Sequence, residues 1–273
     1  MPLIKKISDK YDRDIFPVVK NIYRHFNKVN ERKVAFVAGV QRSGTNMMMD
    51  VLERSLEADV YHERDERAFD NYQMRNMDVI QDLYSNSKAP LFIIKSLCEL
   101  QDLSKLMDFF SPAKTIWVTR NYEDIVNSML VSFSNQAKQI VALSKDRSLG
   151  GWWLGKGMTD ETYELVKGFA SENIDDASAA ALQWYFRSKL FFDQNFDSDS
   201  RVMLVKYENL VTKPEQEFSR IFEFLELKYS KRISAKVFAS SIRRRPSPNI
   251  HPDIRVLCDD VSEKFSQVKL LNV

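Results

Sequence analysis

The run Val34-Ala-Phe-Val-Ala-Gly-Val-Gln-Arg-Ser-Gly-Thr-Asn46 reads as an apolar strand, a tight turn and the start of a helix. Gly39 and Gly44 stand at the spacing of the triphosphate loop G-x-x-x-x-G-K-[ST], yet the lysine position holds Thr45. A turn that runs straight into a helix presents backbone N–H groups with no partner inside the helix, which suits a phosphate. The glycines allow the turn and the close approach. Arg42 adds charge and a fork of donors, and Ser43, Thr45 and Asn46 add side-chain hydrogen bonds. The plainer reading is a glycine turn whose Ser and Thr only cap the helix.

An ordinary ATP- or GTP-hydrolysing loop would carry lysine at position 45 and a following hydroxyl on magnesium. Neither is present in that form, and no strand ends in a carboxylate suited to the metal. The later apolar strands end in Thr119-Arg120 and Lys206-Tyr207-Glu208, where Lys206 opposes cation binding by Glu208. The loop is therefore expected to bind a phosphate without a metal site.

Around this loop the chain alternates short apolar strands with helical periodicity. Helix signals cover residues 13–28 (Ile15, Val19, Ile22 and Phe26 at helical spacing, Tyr23 beside them) and 47–56 (Met48, Val51, Leu52 and Leu56 towards a sheet). Strands are expected at 34–40, 91–94, 114–119 and 202–205, with helices at 100–106, 122–133, 177–192 and from Pro214 to about residue 225. That rhythm predicts an α/β fold, a single domain over 1–273 with a mostly parallel central sheet flanked by helices.

Residues 144–176 interrupt the rhythm with Gly150-Gly-Trp-Trp-Leu-Gly-Lys-Gly157 and are expected to form an acceptor-side loop or lid. Trp152 and Trp153 line a pocket in that reading, or simply pin the loop to the core. Trp184 lies beside the apolar stripe of the next helix or faces the same pocket.

Composition narrows the class. The 273 residues are 44% apolar, enough for one large core, and the net charge of +2 makes the whole molecule no trap for nucleic acid or membrane. Basic chemistry must be local. Cys98 and Cys258 are too sparse for a disulfide scaffold and lack metal-ligand spacing, which suits reduced thiols in a cytoplasmic protein. The start, Met-Pro-Leu-Ile-Lys-Lys, is unlike a signal peptide, and no segment approaches the roughly 18 apolar residues of a membrane span.

With these motifs in order, the chain resembles the sulfotransferases that use 3'-phosphoadenosine 5'-phosphosulfate, over roughly residues 34–225. Gln41-Arg-Ser-Gly-Thr-Asn46 resembles their 5'-phosphosulfate loop, with Arg42 as its basic residue. Lys95 matches a second basic position. Ile116-Trp-Val-Thr-Arg120-Asn-Tyr-Glu-Asp-Ile-Val-Asn-Ser128 resembles the 3'-phosphate motif, with Arg120 and Ser128 as the matching residues. Arg120 stands at a strand end, where open parallel sheets place ligands, and Ser128 lies about two helical turns further on. The alternatives are an ion pair of Arg120 with Glu123 or Asp124 and a bond from Ser128 to its own helix. Val205-Lys-Tyr207-Glu208-Asn-Leu210 resembles the end of the core domain.

The resemblance implies a P-loop-like sulfotransferase fold and in-line transfer of a sulfuryl group, with adenosine 3',5'-bisphosphate as product. Tyr207 is the candidate for the adenine pocket. Arg243, Arg244 and Arg245 match in role, without the usual glycine-containing motif, a basic C-terminal segment (residues 240–273) that closes over the 3'-phosphate.

Many small-molecule members place a histidine shortly after the lysine. Here Lys95-Ser-Leu-Cys98 has none, and the resemblance points instead to a glutamate after the first helix, in Val60-Tyr-His-Glu63. Glu63 is the expected base and His62 its competitor. Neighbours on an extended segment point opposite ways, so only one should face the acceptor. A salt bridge from Glu63 to Arg64 or Arg67 is the bland alternative.

The acceptor is expected to be a small molecule or carbohydrate bearing a hydroxyl or amine. The competing functions are a nucleotide-dependent kinase with an atypical loop and a non-catalytic nucleotide-binding protein. A nucleic-acid partner is not expected, because Arg243 to Arg245 lack interleaved aromatics for base stacking.

Overall fold

The computed structural model describes residues 14–27, 29, 31–170, 173–239 and 242–268. Five parallel strands form the central sheet: β1 (Lys33–Ala38), β2 (Ala58–Tyr61), β5 (Leu91–Ser96), β6 (Ala113–Thr119) and β7 (Val202–Lys206), in the order β2-β5-β1-β6-β7. A two-stranded hairpin, β3 (Phe69–Asp70) and β4 (Gln73–Met74), stands apart from it.

The apolar run at 34–38 forms the middle strand because it is buried on both faces. Val34, Phe36 and Ala38 face one core, with Phe92, Ile94, Trp117 and Leu204. Ala35 and Val37 face the other, with Ile93, Ile116, Val118 and Met203. This alternation is the two-residue period of a strand, and covering both faces is what a parallel sheet requires. In register, Phe36 lies opposite Ile94 of β5 and Thr115 of β6.

Helices α1 (Phe16–Phe26), α2 (Thr45–Glu53), α3 (Met77–Asn86), α4 (Leu103–Phe109) and α5 (Tyr122–Ser132) accompany the first strands. Helices α6 (Gln136–Lys145), α7 (Asp160–Phe169) and α8 (Asp176–Asp193) follow. After β7 come α9 (Tyr207–Thr212), α10 (Pro214–Phe224), α11 (Lys231–Ser234) and α12 (Pro252–Gln267). Because β1 lies between β5 and β6, the chain reverses its direction of travel across the sheet there. Open α/β sheets bind ligands at such a point, beyond the carboxyl ends of the strands.

Three readings of the sequence differ from the structure. Four parallel strands were expected, and the edge strand β2 is a fifth; with only four residues it is too short for periodicity to separate from a loop. The region 144–176 contains a helix of its own, α7. Thr159 caps α7 by accepting from the Thr162 N–H, Asp160 and Glu161 follow in the first turn, and Thr162 and Val166 are buried. The Gly- and Trp-containing turns before Thr159 fit the loop description.

The third difference concerns α1, whose apolar stripe does not face the sheet. Ile15, Ile22 and Phe26 are 48%, 54% and 79% exposed. The helix docks instead through polar side chains. Lys20 donates to the Glu53 carbonyl at 2.8 Å, Arg24 to the Ala58 carbonyl at 2.7 Å, and the Tyr23 hydroxyl to Glu57 at 3.2 Å.

Candidate active site

The turn after β1 has the shape its glycines allow. Gly39 has φ +148°, and a Cβ there would stand 2.4 Å from the Val118 carbonyl oxygen. Gly44 has φ +107°, and a Cβ there would stand 2.4 Å from the Tyr207 ring. Between them Arg42 takes φ 70°, a strained value for a side chain with a Cβ. Gly44 caps α2 with no side-chain hydrogen bond to the first turn, so the helix N-terminus points its N–H groups outward. The Ser43 hydroxyl is buried beside them, with no hydrogen-bond partner among the described residues. Such a buried polar atom is costly unless a ligand satisfies it.

This turn forms one wall of a cavity of about 690 Å³, within the range of ligand sites. All the strand ends that the sheet order brings together contribute. From the turn and α2 come Gln41, Arg42, Gly44, Thr45 and Asn46; beyond β2 comes Glu63; from β5, Lys95; beyond β6, Arg120; and beyond β7, Tyr207. Ser128 reaches the cavity from α5, and Arg244 and Arg245 from the C-terminal segment. Six cationic side chains and two carboxylates line it, although the whole chain is close to neutral. The positive charge is concentrated where an anion would sit.

Lys95 is 1% exposed, and its ammonium lies 2.5 Å from Oε2 of Glu63 and hydrogen-bonds Oδ1 of Asn46. Burial lowers the Lys95 pKa from its ordinary value, and the Glu63 charge partly restores it. Glu63 is 9% exposed; its Oε2 is buried against the Lys95 ammonium, while the side chain lines the cavity. The salt bridge considered for Glu63 does not form with Arg67, which pairs with Asp65 at 2.6 Å.

His62 points the other way, as alternation requires, and is absent from the cavity wall. Its Nε2 lies 3.3 Å from Glu53 Oε2. Burial works against the imidazolium, but the hydrogen bond and charge of Glu53, with Asp50 and Glu63, raise the His62 pKa above its ordinary value.

Arg42 donates from Nε to the Ser128 hydroxyl at 2.9 Å, so Ser128 turns towards the loop rather than its own helix. Arg120 donates to the Arg42 carbonyl at 3.3 Å, lies 3.5 Å from Asp124 and stacks on Tyr207 at 4.5 Å. The ion pair with Asp124 and the place at the cavity therefore coexist. Tyr207 supports both the Gly44 backbone and the Arg120 guanidinium, a role its apolar ring did not reveal.

In the C-terminal segment the backbone N–H of Arg243, itself at φ 47°, bonds the Asp124 carboxylate at 3.1 and 3.2 Å. Asn127 donates to the Pro246 carbonyl at 3.0 Å, and Arg255 of α12 donates to the Pro248 carbonyl at 2.8 Å. The segment is thus laid along α5. Arg244 and Arg245 reach the cavity; the Arg243 side chain does not line it. Residues 240–241 and 269–273 of the expected closing segment lie outside the described residues.

The three tryptophans do not line the cavity. Trp184 is 1% exposed and stacks on Tyr122 at 5.3 Å, because the apolar side of α8 wraps more than one face. Trp153 packs on the Arg187 guanidinium at 5.0 Å, and Trp152 stacks with Lys156 at 5.5 Å. In their place Arg64, Tyr72, Leu97, Asn127, Val131 and Phe133 line the outer cavity. Asn127 lies inside the quoted run ending at Ser128, and the others carry no motif signal of their own.

The cavity's donor set suits an anionic ligand. Arg42, Lys95, Arg120, Ser128, Arg244 and Arg245 all line the cavity, with Arg42 and Ser128 hydrogen-bonded to each other.

Comparison with known proteins agrees. The sulfotransferase domain family model matches residues 32–249. A Caenorhabditis briggsae protein named "Putative protein-tyrosine sulfotransferase" is 21% identical over 212 residues, covering 75% of this chain and 69% of its own. Among solved structures, the sulfotransferase domain of the Synechococcus PCC 7002 olefin synthase superposes with a TM-score of 0.50 at 14% identity, covering 88% of this chain and 96% of that one. A sulfotransferase from Alicyclobacillus acidocaldarius also gives a TM-score of 0.50 at 14% identity, covering 86% and 92%.

Proposed function

The chain belongs to the sulfotransferase domain family, and on that premise we propose that it moves a sulfuryl group from 3'-phosphoadenosine 5'-phosphosulfate to an acceptor hydroxyl or amine. The carrying observation is the meeting of the phosphate loop, Lys95 and Glu63 in one basic cavity. When bound, the donor supplies an activated sulfuryl group and an anionic leaving phosphate.

The chain's own residues have separable tasks. The α2 N-terminus, Arg42 and Lys95 hold negative charge at the reacting end in a site where water is partly excluded, which strengthens each contact. Lys95 serves as a fixed positive charge and need not give up its proton. Asn46 and Glu63 position its ammonium from two sides. Arg120 and Ser128 bind the 3'-phosphate, with Arg244 or Arg245 added from the C-terminal segment.

Glu63 is the base. It lines the cavity and lies against the cation that would orient it. Hydroxyls of sugars and small metabolites are candidate acceptors, and the name of the Caenorhabditis briggsae relative adds a tyrosine hydroxyl. The kinase reading requires a lysine where Thr45 stands buried at the start of α2.

Calorimetric titration with adenosine 3',5'-bisphosphate tests the donor. Saturable binding is expected in the wild type, weakened about tenfold or more by Arg120→Met, since a charged hydrogen bond to phosphate contributes about 1.5–3 kcal/mol. Absence of wild-type binding, or unchanged affinity in the variant, would overturn the assignment.

A further inference from the structure

Resting on the sulfotransferase reading above, we infer that Tyr72 is a specificity-determining residue that selects an acceptor whose hydroxyl is carried on an aromatic ring. Asn71 and Tyr72 are the two-residue turn between β3 and β4, with φ 47° and 66°. A two-residue turn with both φ positive favours Asn followed by Gly, because the left-handed region crowds a Cβ. Asn71 obeys that rule. Tyr72 occupies the glycine place.

Nothing in the fold accounts for the exception. The Tyr72 side chain is 51% exposed and belongs to neither hydrophobic core. Its hydroxyl and ring make no hydrogen bond, ion pair or ring contact among the described residues. It does line the cavity that holds Lys95 and Glu63. Arg42, in the phosphate loop, is another non-glycine residue at positive φ in the same cavity wall. Strain kept at a site and absent from the folding argument points to a role in binding.

The hairpin holds the Tyr72 backbone in place. Phe69 and Met74 are buried beneath the tip, and the Met74 N–H bonds Glu99 Oε1 at 2.9 Å. Glu99 follows β5 four residues after Lys95, so the tip is fastened to the segment that carries the reacting-end cation.

The cavity's other exposed apolar groups, Val131 and Phe133, come from the end of α5. That helix follows β6, whereas the hairpin follows β2, and these strands lie on opposite sides of β1. The outer cavity is therefore flanked by a tyrosine on one side and a phenylalanine on the other, an arrangement suited to a flat ring. The base points to the same class. A carboxylate is a weak base, and a phenol, ionising near 10, yields its proton to one far more readily than an alkyl alcohol.

The test uses the full chain, 2-naphthol as the probe, and the variants Tyr72→Phe and Tyr72→Gly. Calorimetry follows 2-naphthol binding with and without adenosine 3',5'-bisphosphate. The Phe variant should match wild type, and the Gly variant should bind about tenfold more weakly, while its thermal midpoint rises because glycine suits the turn. In turnover, the Gly variant should raise KM for 2-naphthol about tenfold with kcat little changed, and cyclohexanol should be a poor acceptor for every variant. Equal 2-naphthol affinity in wild type and Tyr72→Gly, or equal use of cyclohexanol, would overturn the inference. Failure of the bisphosphate to bind would overturn the donor reading alone.

Discussion

Glu63 and His62 show how one residue's difference in position sets chemistry. Both followed from the sequence as candidate bases, and alternation along an extended segment allowed one of them to face the acceptor. The structure places Glu63 on the cavity against Lys95, and His62 against Glu53 on the far side. Glu63→Gln is expected to lower kcat by about 10²-fold or more, the usual range for a lost general base, whereas His62→Gln should leave kcat within about threefold of wild type. Single-turnover rates at saturating donor decide it, with circular dichroism checking that the Glu63→Gln variant still folds around buried Lys95. Full activity of Glu63→Gln would remove the assignment. Arg42, Lys95, Arg120 and Ser128 were legible because each stands at a fixed distance from a glycine turn or a strand end. Tyr72 was not, since its place on the cavity wall comes from chain segments folded against one another.

At the level of elements, the strand–turn–helix at residues 33–53 announced itself through an unbroken apolar run and two glycines. The short β2 and the capped α7 did not, because four residues give no period and a Thr-Asp-Glu start is easily read as loop. The termini of elements also carry stability that the sequence hides. Glu226, in the turn after α10, ties the beginnings of β1 and β6 together. Lys114 donates to it at 2.7 Å and Lys33 pairs with it. Hydrogen bonds from Lys114 and then Lys33 pull the Glu226 carboxyl down to about 2. A folded value below the unfolded value, near 4.3, means that the stabilisation is present above about pH 4.3 and fades as pH falls towards 2. Urea titrations should therefore show wild type more stable than Glu226→Gln at pH 6 by no more than about 1 kcal/mol, because these side chains are solvent-screened. The gap should close near pH 2. A gap independent of pH would mean the pairs contribute nothing through charge.

Over the whole molecule, Arg187 joins the helical side of the fold to the site. It is 1% exposed in α8, and its guanidinium bonds the Cys98 carbonyl at 3.3 Å, the Trp153 carbonyl at 3.2 Å and Gln101 Oε1 at 3.2 Å. Burial lowers its pKa to about 10, with nearby Cys98, Glu99 and Asp102 partly restoring it. Arg187→Met would leave several buried carbonyls without a donor, at a cost of about 3 kcal/mol or more, and should lower the thermal midpoint by several degrees. An unchanged midpoint would show that the loops after β5 and around Trp153 need no such tie. The sequence by itself determined the α/β class, the altered phosphate loop and the cations around it, because strand burial and tight turns constrain neighbouring residues directly. Only the tertiary structure decided that Glu63 rather than His62 faces Lys95, that the tryptophans stay off the cavity wall, and that a hairpin tyrosine and the end of α5 line one cavity. Those relations join residues far apart in the chain, and side-chain direction and burial at such contacts are fixed by sheet order and packing, which no local pattern encodes.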